Sequence, residues 1–90
     1  MPWYEDLEQS FSAYVGVENT ITTNTGTSAV HLAIEGKGYP ANAEIIAPEF
    51  SMIATAFAVH YARCTPIFID CNADMNIDAS LIEEKIGEKT

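Results

Sequence analysis

Apolar residues recur along the first segment at Trp3, Leu7, Phe11 and Tyr14, with Glu5, Asp6, Glu8 and Gln9 between them. That spacing places the four on one face of a helix, and Gly16 supplies its stop. Thr20 to Asn24 is short and β-branched, which predicts a strand broken at Gly26. From Thr27 the run Thr-Ser-Ala-Val-His-Leu-Ala-Ile-Glu opens on capping hydroxyls and is apolar on most sides, as in a helix buried against a sheet. It is expected to end near Gly36 and Gly38.

Tyr39-Pro40-Ala41-Asn42 then reads as a turn, and Glu44-Ile45-Ile46-Ala47 before Pro48 as a second strand. Ser51 to Ala62 predicts another mostly apolar helix with a hydroxyl at its start. Pro66-Ile67-Phe68-Ile69-Asp70 predicts a third strand, with proline where a ladder donor is least missed. Asp78-Ala79-Ser80 opens a last helix through Leu81, Ile82 and Ile86. Alternating helices and strands with apolar strands predict an α/β fold: a mainly parallel sheet covered by helices on both faces. Residues 1–90 read as a single segment without repeat or linker.

Composition narrows the partners. Thirteen acidic against four basic residues give a formal charge of -9, which repels nucleic-acid backbones and anionic lipid surfaces. No apolar run approaches the roughly 18 residues of a membrane span, and the first residues lack a signal-peptide pattern, so a cytoplasmic location is expected. Cys64 and Cys71, outside any C-x-x-C arrangement, read as free thiols.

The chemistry concentrates at Asn24-Thr25-Gly26-Thr27-Ser28. A strand leading through glycine into a helix leaves the first helical amides without intrahelical partners at the positive end of the dipole. Glycine admits close backbone approach, and the hydroxyls add donors. Plain helix capping by Thr25, Thr27 or Ser28 fits the same local pattern. Neither a Walker loop nor a Rossmann G-x-G-x-x-G is present.

On the local pattern alone plain capping is the preferred reading, and four blocks in order reverse it. Residues 24–34 (Asn-Thr-Gly-Thr-Ser-Ala-Val-His-Leu-Ala-Ile) are similar to the phosphate-loop segment of the DegT/StrS-type sugar aminotransferases. Residues 44–62, 65–71 and 76–86 continue the same family pattern, and the helix with Phe11, Tyr14 and Gly16 resembles the family's start. The resemblance implies part of the large domain of the aminotransferase fold type I, with pyridoxal phosphate as cofactor. It also implies glutamate as amino donor and a keto sugar nucleotide as acceptor.

By the same resemblance Thr27 and Ser28 hold the cofactor phosphate, Gly26 gives backbone access, and Met52 lies over the pyridine ring. The family usually places an aromatic at that position; a thioether still lies on a π face, with weaker orientation, and core packing is an equal reading of Met52. The segments carrying the family's Schiff-base lysine and pyridine-binding aspartate come after the part matched here. Lys37, Lys85 and Lys89 sit among Gly, Glu or chain-end residues and lack the desolvated surroundings a nucleophilic amine needs. Asp70 matches an earlier strand and is rejected as the pyridine partner.

No turnover is therefore expected of this chain alone. The family fold also separates the strand at 20–24 from those at 44–47 and 66–70 by strands that come later. Bare sheet edges and self-association are the resulting expectations. A non-catalytic interaction or phosphate-binding module is the alternative.

Two weaker constellations are present. Asp70, Asn72, Asp74, Asn76 and Asp78 alternate as in an EF-hand loop, but Met75 replaces its glycine and Leu81 its bidentate glutamate, so a polar turn is preferred. His60, Cys64 and Cys71 lack the second pair a zinc site needs, and His31 reads as core.

Overall fold

The computed structural model describes residues 2–90. It contains α1 (Trp3–Val15), α2 (Gly26–Gly36), β1 (Glu44–Pro48), α3 (Ile53–Tyr61), β2 (Thr65–Ile69) and a short final turn of 3-10 helix (Ala79–Leu81) running into α4 (Ile82–Lys85). The helices, β1 and β2 fall where the hydrophobic pattern places them, within a residue or two at most ends.

β1 and β2 pair in parallel, Glu44 beside Thr65 through Pro48 beside Ile69. The Thr65 amide donates to the Ala43 carbonyl and the Glu49 amide to the Ile69 carbonyl, both at 2.8 Å. In a parallel ladder alternate residues face the partner strand. Pro48 and Pro66 therefore both face outward, where neither removes a donor from the β1–β2 ladder. By this register Ala47 and Ile69 lie on opposite faces, and each is 2% exposed, so both faces are covered at that point.

Val59, Ala62 and Cys64 close over Ala43, with Ile34 and Ile45 packed against the cluster. These contacts join the C-terminal turns of α2 and α3 to the start of β1. Both helices consequently begin on the side of the carboxyl ends of the strands, where open α/β sheets hold their ligands.

Residues 20–24 depart from expectation. They form no strand, and the only sheet among the described residues has two strands. β-branched composition favours extended backbone but cannot supply a ladder partner. Side chains of α1 hold the segment instead: Glu8 Oε1 accepts from the Thr22 amide at 2.7 Å and its hydroxyl at 2.9 Å, and Ser12 Oγ donates to Thr20 Oγ1 at 2.7 Å. α1 ends at Gly16, whose φ of 82° is left-handed and whose amide bonds the Ser12 carbonyl.

Two helix ends also differ. α3 begins after Met52, which makes no side-chain cap, so Ser51 is not its N-cap. The last helix stops before Ile86, which is extended at ψ 122°.

Candidate anion-binding site at the start of α2

α2 starts one residue earlier than its hydroxyls suggest, and Thr25 is the N-cap. Thr25 Oγ1 accepts from the Ser28 amide at 3.0 Å and donates to Ser28 Oγ at 2.9 Å. Its carbonyl accepts from the Ala29 amide at 3.1 Å and from the Thr23 hydroxyl at 2.8 Å. Sequence reasoning left Thr25 out of the site, although a hydroxyl three residues before Ser28 has the spacing of a cap.

Among the described residues the amides of Gly26 and Thr27 have no protein partner. No acidic residue lies in the first turn of α2. A side chain built at Gly26 would meet nothing within 4 Å, so the backbone there is open to approach. The free donors of this turn are thus two amides and the hydroxyls of Thr27 and Ser28, at the positive end of an 11-residue helix. That donor set fits a phosphate monoester, whose oxygens only accept.

An open hollow of about 340 Å³ runs down the same side of α2, lined by Thr23, Asn24, Ser28, His31, Leu32 and Glu35. His31 is not a fully buried core residue: its side chain is partly exposed, 3.6 Å from Glu35 and against the Tyr61 ring. Met52 stands at the head of α3, on the same side of the molecule, and is 77% exposed. It is therefore not core packing within this chain. Structure thus gathers Gly26, Thr27 and Ser28 into one turn and leaves Met52 on a neighbouring element.

The acidic loop is occupied by its own backbone. Asp70, Asp74 and Asp78 each accept from an amide one or two residues onward. Cys64 and Cys71 are free thiols. Among the described residues no three ligating side chains converge on a metal position, and no helix is long and apolar enough to cross a membrane.

Residues 2–90 match the model of the DegT/DnrJ/EryC1/StrS aminotransferase family. The chain belongs to that family. It is 36% identical over 86 residues to GDP-perosamine synthase of Caulobacter vibrioides, covering 94% of this chain and 23% of that protein. The fold superposes on DesV of S. venezuelae with a TM-score of 0.93 at 31% identity, covering 100% of this chain and 24% of DesV. Spr1654 of Streptococcus pneumoniae, solved in a PLP form, gives a TM-score of 0.91 at 28% identity, covering 100% of this chain and 23% of that one. This family member thus spans about a quarter of the length of the relatives it matches, at their N-terminal side. Its α/β architecture is that of fold type I aminotransferases.

Proposed function

We propose that this chain supplies the phosphate-holding part of a pyridoxal-phosphate-dependent aminotransferase acting on keto sugar nucleotides. The supporting observation is the pair of unpartnered amides at Gly26 and Thr27, at the head of α2, in a chain of this family. In this reading the Thr27 and Ser28 hydroxyls complete the phosphate contacts and Gly26 admits the ligand to the backbone. Met52 lies over the ring face where family members carry an aromatic. Pyridoxal phosphate, when bound, supplies the electron sink for amino-group transfer.

What these residues contribute is binding and orientation. Lys37, Lys85 and Lys89 are all exposed, outside the desolvated pocket that a nucleophilic amine needs. The chain by itself is inert in this reading. Glutamate as amino donor and a keto sugar nucleotide as acceptor come from the family, and a reducing, cytoplasmic setting suits the two free thiols.

Surface area supports self-association as well. The chain exposes 6825 Å², against about 5,200 Å² for a compact monomer of its size. Its radius of gyration is 15.5 Å, against about 12 Å for a compact domain of this length. A second copy covering the exposed stripe of α1 would remove part of that excess. Sedimentation is expected to show a dimer or larger species; a clean monomer contradicts this part.

The cofactor reading is tested by titrating pyridoxal phosphate and pyridoxal separately and monitoring the visible spectrum. Tighter binding of the phosphate ester is expected, and equal binding of the two sinks the proposal. The alternative, a non-catalytic module, draws on the exposed face of α1. The two readings part on whether extending the reading frame past Thr90 brings in a lysine segment and transaminase activity.

A further inference from the structure

We infer that Thr25 is the positioning residue of the phosphate site, acting through Ser28; this rests on the phosphate reading of the α2 N-terminus. A hydroxyl carries one proton and accepts through two lone pairs. Thr25 Oγ1 gives its proton to Ser28 Oγ and takes the Ser28 amide. Ser28 Oγ is thereby fixed as an acceptor toward Thr25, which leaves its own proton to be donated elsewhere.

Without that bond the Ser28 hydroxyl is free to turn its lone pairs outward, toward an anion that only accepts. Thr25 also removes the Ser28 amide from the set of open donors. The anion is therefore met by Gly26 N, Thr27 N and two hydroxyls. Thr25 is itself held from behind, its carbonyl taking both the Thr23 hydroxyl and the Ala29 amide. The consequence is selectivity: Thr25 favours a phosphorylated ligand over the same ligand without phosphate, while touching neither.

Calorimetric titration with deoxypyridoxine phosphate and with deoxypyridoxine tests this. Neither probe has the aldehyde that would react with Lys37, Lys85 or Lys89. The chain is expected to prefer the phosphate ester. Thr25→Val also releases the Ser28 amide as a donor, so the ester should weaken by no more than about tenfold, the scale of one hydrogen bond to a charged group, with deoxypyridoxine binding unchanged.

Thr25→Ser should restore the preference, and in a Ser28→Ala background most of the Thr25→Val effect should vanish. Thr25→Gly covers the case in which the valine variant misfolds, because glycine is nearly as good at an N-cap and lacks the hydroxyl. An unchanged ester affinity, equal losses on both probes, or an undiminished effect without the Ser28 hydroxyl overturns the role of Thr25 and spares the phosphate site. No ester preference in the unsubstituted chain removes the phosphate reading, and this inference with it.

Discussion

In the β1–α3–β2 unit Ala47, Ala58, Val59 and Ile69 are each at most 2% exposed, whereas α1 has no buried residue, with Trp3 77% and Tyr14 88% exposed. Both regions have an apolar pattern that reads clearly in the sequence. In the first the chain supplies its own cover. In the second, polar bonds from Glu8 and Ser12 to residues 20–22 tie the helix to the neighbouring segment. Periodicity thus reports which face is apolar and says nothing of who covers it. The candidate site lies between the two regimes: residues 20–25 come from the polar-tethered arm, and α2 packs on α3.

The largest break in this contrast comes from the core. Ile69→Ala should cost about 2–5 kcal/mol, read as a lower denaturant midpoint, enough to unfold a chain with so small a core. Next is the tether. Glu8→Ala removes both bonds to Thr22 and should speed amide exchange at Thr22, with global stability falling by less than about 1 kcal/mol since the contact is exposed. A global loss as large as that of Ile69→Ala would show α1 and the core to be one cooperative unit.

Phe11→Ala sharpens the comparison from the other side. Its stability change should stay within about 0.5 kcal/mol, while association measured by sedimentation weakens. The smallest effect is one of pH. The Asn76 amide, bonded to Asp74, holds that carboxyl below its ordinary value. A lowered folded-state value favours the folded turn above the ordinary carboxylate range and withdraws that support as pH falls through the lowered value. Chemical shifts of Asn76 should move at the acid end of the range, and Asp74→Asn should flatten that movement.

Much of the fold was legible because its signals are local. Gly16 as a helix stop, the paired strands around Ile45 and Ile67, and the apolar helix over Val59 each arise from spacing and turn chemistry. The strand predicted at 20–24 did not form because pairing is a property of two segments, and among the described residues no second strand lies beside it. At the site, Gly26, Thr27 and Ser28 were legible as donors. That Thr25 is the cap was not: several neighbouring hydroxyls share one pattern, and only the backbone turn decides which becomes the acceptor. His31 sat in an apolar run yet lies half out, because α2 is covered on one side only.

The outward placement of Pro48 and Pro66 bears on the two open margins of the sheet. Within the strands, the outer flank of β1 keeps the Ile46 amide free, the Glu44 amide being taken by the Lys89 carbonyl, and the outer flank of β2 keeps that of Phe68. A foreign strand arriving at either flank finds too few donors to zip along it. Two outward prolines thus thin the ladder donors along both margins of the two-stranded sheet and leave its carbonyls as the main polar groups there.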